Sequence, residues 1–384
     1  MKTLLSLILI TALFSCSSSS SSEVVETSKG KLQGYEKNGV NYFLGIPYSE
    51  APIGELRWQP PKPVKAWQGI KSVNALGSSC MQPTNIGNSA FLDLMLDGYG
   101  LAWYEKLIIK GFSFFAPTLT AGDFSEDCLF LNIISPKDAE NLPVMFWIHG
   151  GAGRFGSGGD SIYLTSRFAE KDVILVTINY RLGSLGWFAH PVLSAESENG
   201  VSGNYGSLDQ IEALKWVKNN ISNFGGDPNN VTIFGESAGG QAVGTLLSSP
   251  LSKELFHKAI SQSGSGILGT RALKDDSRNK SAEAIGLELA EYFGVDNDET
   301  TLLQLRNIPA EEFIQISDSE RDAELISSVT QIIDGYVFPY RFNEAYRNGS
   351  THDVPYITGF NANEGTTLVP LISVSYTHLR AHET

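Results

Sequence analysis

Val231-Thr-Ile-Phe-Gly-Glu-Ser-Ala-Gly-Gly240 is the stretch that decides the fold of this 384-residue chain. A short β-branched and aromatic run leads into Gly235-x-Ser237-x-Gly239, and a helical pattern, Gln241 to Leu247, follows at once. A strand that turns this sharply into a helix is a nucleophile elbow. The bend leaves no room for side chains at its flanks, so glycine is needed at 235 and 239 and the serine hydroxyl is presented at the sheet edge. The residue types therefore predict Ser237 as the nucleophile of an acyl transfer. Such a hydroxyl attacks only when a base removes its proton and preorganised N–H groups receive the oxyanion.

Donors of that kind are offered eighty residues upstream. The apolar strand Val144 to Ile148 ends in His149-Gly150-Gly151-Ala152-Gly153, a loop without bulk that can turn its amides toward a substrate carbonyl. Gly151 and Ala152, with Ala238 after the nucleophile, are the expected oxyanion hole. Gly151-x-Gly153-x-x-Gly156 also matches a dinucleotide-binding fingerprint. That motif opens a helix directly and needs an acid at the end of the next strand. Here Gly158, Gly159 and Asp160 prolong the loop and the next strand ends in Asn179-Tyr180, so no nucleotide cofactor is expected.

Working outward, Val173 to Tyr180, Lys258 to Gln262 and Pro355 to Gly359 read as further buried strands. Leu208, Ile211, Leu214, Val217, Ile221 and Phe224 make an apolar stripe at helical spacing. Near-continuous apolar strands alternating with helices predict an α/β protein, with a mostly parallel central sheet and helices on both faces. Ligands of such sheets bind beyond the carboxyl ends of the strands. With 42% hydrophobic and 18% charged residues, and no internal repeat, one globular domain is expected. A net charge of -14 without basic clusters argues against nucleic-acid binding.

The two ends stand outside the fold. Lys2, the apolar run Leu4 to Phe14 and the small residues Ser15-Cys16 make residues 1–16 a secretory signal, too short in its apolar part for a membrane span. Leu13-Phe14-Ser15-Cys16 resembles a bacterial lipobox, which predicts lipidation of Cys16, a serine-rich tether over 17–23 and a cell-envelope location. A plain cleaved signal, giving a periplasmic or secreted protein, is the alternative. With a bacterial lipobox, the sequons at Asn220, Asn230, Asn279 and Asn348 are expected to be coincidental. With Cys16 lipidated, Cys80 and Cys128 remain as a pair for a disulfide in an oxidising compartment, or else as two buried thiols. From Val374 the chain reads Val-Ser-Tyr-Thr-His-Leu-Arg-Ala-His-Glu-Thr, which resembles a translated sequencing adapter. On that reading residues 24–373 are natural domain sequence and 374–384 are not, and the domain lacks its C-terminal strand and helix.

Ser125-Glu-Asp-Cys-Leu-Phe-Leu-Asn132, Gly203-Asn-Tyr-Gly-x-x-Asp-Gln210, Phe224-Gly-Gly-Asp-Pro228, Gly45-Ile-Pro-Tyr48 and the elbow together resemble the type B carboxylesterase and cholinesterase family, from about Val24 to Leu371. The resemblance implies the α/β-hydrolase fold and hydrolysis of small uncharged carboxylic esters through an acyl-enzyme, with no metal, cofactor or protein partner. It implies that Glu364, in Gly359-Phe-Asn-Ala-Asn-Glu-Gly365, is the acid that orients the catalytic imidazole; from the residues alone an acid after a strand is equally a helix cap. It also implies a Cys80–Cys128 disulfide. Between these cysteines Leu92 to Phe115 is longer than the family pattern, and Trp103, Tyr104 and Phe112 either wall the gorge or pack that insertion. Gly153 stands where the family has an aromatic residue. A catalytically silent adhesion relative is the competing reading, against which stand both Ser237 and Glu364.

The general base is the unplaced part. His149 lies in the oxyanion loop and reads as structural, while His190, His257 and His352 precede the acid, contrary to the order Ser, Glu, His. His378 and His382 follow it inside the adapter-like tail. The base is therefore expected beyond the end of the 384-residue chain, and that chain by itself is expected to be inactive.

Overall fold

A computed structural model describes residues 20–83, 102–108, 123–264, 270–315 and 331–364. Among them, a mixed sheet is built from β1 (Ser20–Ser21), β2 (Tyr35–Lys37), β3 (Val40–Pro47), β4 (Phe130–Pro136), β5 (Leu142–Ile148), β6 (Ile174–Ile178), β7 (Gly226–Glu236), β8 (Lys258–Gln262) and β9 (Tyr356–Gly359). Its order is β1-β2-β3-β4-β6-β5-β7-β8-β9. The half from β6 to β9 is parallel, and β1 to β4 join it in antiparallel pairs.

The strands read from apolar runs are the parallel ones; β5, β6 and β7 have both faces covered, whereas β9, read as a buried strand, lies at the sheet edge and is exposed from Ile357 to Gly359. Val144, Phe146, Ile148, Val231 and Ile233 face the main core. Their neighbours Met145, Trp147 and Phe234 face a second cluster on the opposite side, closed by Tyr163, Leu164 and Phe168 ahead of the 3-10 turn Ala169–Lys171. Helices α1 (Tyr205–Asn220) and α2 (Ala238–Ser248) pack on the main-core side. In α1 the predicted stripe is the buried one: Ile211, Leu214 and Val217 are inside, and Ile221 and Phe224 continue it through a 3-10 turn. Burying each such side chain contributes about 1.5–3 kcal/mol.

Long-range polar bonds fix how the layers meet. Asp209 of α1 receives Arg181 Nε at 2.8 Å and Nη2 at 2.7 Å, a buried bidentate pair that ties the helix to the chain leaving β6. Asn132 of β4 accepts from Gly45 N–H at 3.0 Å and donates to Thr177 Oγ1 at 3.0 Å, bridging β3 and β6. Glu126 takes both Arg57 Nε and Nη2. The motif residues outside the elbow thus hold the framework. Cys80 and Cys128 form the expected disulfide.

The serine-rich run expected as a tether enters the fold at its second half. Ser20 and Ser21 pair with Glu36 and Tyr35, and Ser22 is buried, its hydroxyl accepting from Gly34 N–H at 3.0 Å. An edge strand needs only backbone bonds, which composition does not reveal. Asn220 is also buried, bonded to Ser28 N–H and Trp216 O, and so is no acceptor for a glycan. Cys16 and the tail 374–384 lie outside the described residues.

Candidate active site

Sheet register brings the functional loops to one edge. Ile148, the last residue of β5, pairs with Gly235; Glu236 pairs with Gln262 of β8, and Gln262 with Gly359 of β9. The chain after each of these strands therefore emerges at the same carboxyl end, where such sheets bind ligands. The loop at 149–156, Ser237 and the turn holding Glu364 are neighbours for this reason.

Ser237 has φ 55° and ψ −122° and is exposed at the start of α2. Such a backbone costs on the order of 1–3 kcal/mol in a residue with a side chain and persists only where its surroundings enforce it. Ser237 N–H donates to Gln262 O at 2.8 Å, and its carbonyl accepts from Gln241 N–H at 2.9 Å. Both flanks are closed. A Cβ at Gly239 would stand 2.1 Å from Ile148 O, and one at Gly235 would stand 2.5 Å from the Gly239 carbonyl.

The loop after β5 lies against this bend, since a Cβ at Gly150 would come within 3.3 Å of Ser237 Cβ. His149 is buried, stacked on Tyr180 with ring centroids 4.4 Å apart, and its Nδ1 lies 2.8 Å from Gly150 O. A carbonyl only accepts, so Nδ1 carries the proton. Burial pushes the His149 pKa down to about 4, which keeps the ring neutral. Gly151 O accepts from the N–H groups of Arg154 and Phe155 at 2.9 and 3.1 Å. The C=O and N–H of a trans peptide point to opposite sides. Tying the carbonyls of Gly150 and Gly151 therefore turns the N–H groups of Gly151 and Ala152 the other way, where they donate to no group among the described residues. Residues 151–156 form turns and bends and open no helix.

Glu364 sits in the turn after β9. Its Oε2 accepts from Asn361 N–H at 2.6 Å, so it does cap its own turn, and Oε1 has no partner among the described residues. Crowding of the Glu236 carboxyl, reinforced by the nearby Glu364 charge, raises the Glu236 pKa. Two acids therefore lie near the nucleophile.

The remaining described histidines are occupied elsewhere. His190 Nδ1 caps a helix by accepting from Val192 N–H at 3.2 Å, and His257 Nδ1 accepts from Val231 N–H at 3.2 Å. His352 Nε2 contacts Ser249 O at 2.8 Å and Ser252 Oγ at 3.1 Å. Among the described residues no imidazole is bonded to Ser237 or Glu364. His378, His382 and Phe112 lie outside them. Trp103 and Tyr104 are exposed and meet each other edge-on at 6.0 Å. Among the described residues no group of three or more His, Cys, Asp or Glu side chains is placed to hold a metal ion.

Sequence reasoning missed Tyr180, whose hydroxyl donates to His149 O at 2.7 Å, and Gln82, which grips Gly156. Neither carries a local signal, since each acts through a backbone group far away in the chain.

Comparison with known proteins adds the following. Residues 21–383 match the family model described as the carboxylesterase family. The chain is 42% identical over 348 residues to fumonisin B1 esterase of Sphingopyxis macrogoltabida, covering 89% of this chain and 56% of that protein. It is 36% identical over 350 residues to para-nitrobenzyl esterase of Bacillus subtilis, covering 89% and 63%. The chain thus spans under two thirds of the length of these relatives. Among solved structures, a PNB esterase aligns with TM-score 0.73 at 34% identity, over 92% of this chain and 65% of its own. The carboxylesterase Est55 of Geobacillus stearothermophilus aligns with TM-score 0.72 at 36% identity, over 92% and 64%.

Proposed function

This chain belongs to the carboxylesterase family, and from that premise we propose that it is a serine hydrolase of small uncharged carboxylic esters. The observation that carries the reading is a strained, exposed serine together with two amides, of Gly151 and Ala152, that donate to no group among the described residues. Ser237 Oγ attacks the ester carbonyl, the N–H groups of Gly151, Ala152 and Ala238 receive the oxyanion, the alcohol leaves, and water releases the acid. Glu364, whose Oε1 has no partner among the described residues, orients the imidazole that serves as base. That base is none of His149, His190, His257 and His352, each held by the bonds described above. It follows Glu364 in the order Ser, Glu, His. Cys16 carries a lipid that tethers the enzyme to the cell envelope, which metabolic labelling with an alkyne fatty acid tests through a Cys16→Ser control.

The test of the reaction is hydrolysis of 4-nitrophenyl esters of increasing acyl length, with labelling by a fluorophosphonate probe. Loss of both in Ser237→Ala is expected, and labelling that survives this substitution would overturn the nucleophile. His190→Ala, His257→Ala and His352→Ala should label as fast as the parent; a large fall in any one would return the base to that residue. His378→Ala and His382→Ala test the two imidazoles that follow Glu364 in this sequence; a large fall in labelling of either would give that residue the role.

A further inference from the structure

We propose that Gln82 is a positioning residue for ester hydrolysis, its side-chain amide clamping the far end of the oxyanion loop. The inference rests on the reaction proposed above and adds a residue to it. Gln82 is buried, and its amide is spent on backbone. Nε2 donates to Cys80 O at 2.9 Å and to Gly156 O at 3.0 Å, while Oε1 accepts from Gly156 N–H at 2.8 Å. Gly156 is thereby held on both its polar groups, as a strand partner would hold it.

Gly156 in turn bears on the donors. It has φ 109°, and a Cβ there would lie 2.5 Å from His149 Nδ1, so its backbone rests directly on the ring that ties Gly150 O. Releasing Gly156 frees that ring to move and lets the turn closed on Gly151 O open. Both donor peptides lose the tie that aims their N–H groups. The clamp itself is anchored, because Cys80 is bonded to Cys128, two residues ahead of β4. Gln82 therefore passes the rigidity of the sheet to the loop that carries the donors. An N–H group misplaced by about 1 Å at the reacting centre lowers turnover up to roughly a hundredfold.

Gln82→Met keeps the side chain's length and removes its three hydrogen bonds. Its kcat for 4-nitrophenyl acetate should fall roughly ten- to a hundredfold, with KM within about twofold of the parent, since the lost interaction belongs to the transition state. Hydrogen exchange followed by mass spectrometry reads the clamp without turnover. Amides of 150–157 should exchange faster in Gln82→Met, with β5 to β8 unchanged. Gln82→Asn, one methylene shorter, should show the same KM-neutral fall and serves if the first variant does not fold. Unchanged kcat, a rise in KM alone, or exchange accelerated throughout the sheet would overturn the clamp. Where the parent hydrolyses no ester, the exchange experiment by itself decides on Gln82: unchanged exchange over 150–157 in Gln82→Met would overturn the clamp.

Discussion

Gly239→Ala adds one methyl group at the place where β5 and the elbow helix touch. The new Cβ would stand 2.1 Å from Ile148 O and 2.9 Å from His149 O, both backbone atoms. Ordinary contact requires α2 and the end of β5 to separate by about 1 Å, because main-chain atoms have no rotamer through which to yield. Overpacking of this kind costs about 1–3 kcal/mol. The functional loss should be larger in proportion, since the separation falls between Ser237 and the amides at 151 and 152, where a displacement of about 1 Å costs up to roughly a hundredfold in rate. Gly359→Ala is the matched control: it lies at the same sheet edge and its added Cβ meets nothing within 4 Å among the described residues. Thermal unfolding and 4-nitrophenyl acetate kinetics on both variants check the reasoning. A Gly239→Ala protein with parental kcat and midpoint would refute it, and so would equal losses in both variants.

Asp209→Ala leaves Arg181 buried without its carboxylate, and urea denaturation should show a loss of about 3–5 kcal/mol. Replacing Cys80 and Cys128 together by Ser opens a loop with a sequence separation of 48, with an expected loss of about 4 kcal/mol in the same assay. His149, held at about 4 in the folded chain against an ordinary 6.5, resists a proton that the unfolded chain accepts. Stability should therefore fall by roughly 3 kcal/mol as pH drops through that window. His149→Phe, which keeps a ring against Tyr180, should show a flatter stability profile between pH 7 and pH 4; an unchanged slope would contradict the neutral, buried assignment.

The strands most clearly read along the chain are those whose residues are buried or nearly so on both faces, so the signal survives without knowledge of partners. Val144 to Ile148 and Val231 to Phe234 are of this type. Ser20–Ser21 at the sheet edge and Tyr35–Lys37 beside it are short strands made by backbone pairing, and nothing in their side chains announces it. The same distinction runs through the site. Ser237 and the loop at 151 were legible because a tight turn demands glycine at neighbouring positions. Glu364 was legible only through resemblance, and its bond to Asn361 N–H shows why: the local cap and the catalytic acid look alike in sequence.

By itself, the sequence determined the parallel core, the elbow and the glycine loop, each of which follows from residues close together or from burial on both faces. Only the tertiary structure decided which histidines are engaged in scaffolding, that Gln82 grips a backbone 74 residues away, and that Arg181 is matched by Asp209. These depend on hydrogen bonds between groups brought together by the sheet register. A side chain's identity shows that it can make such a bond, and the packed fold alone shows with whom.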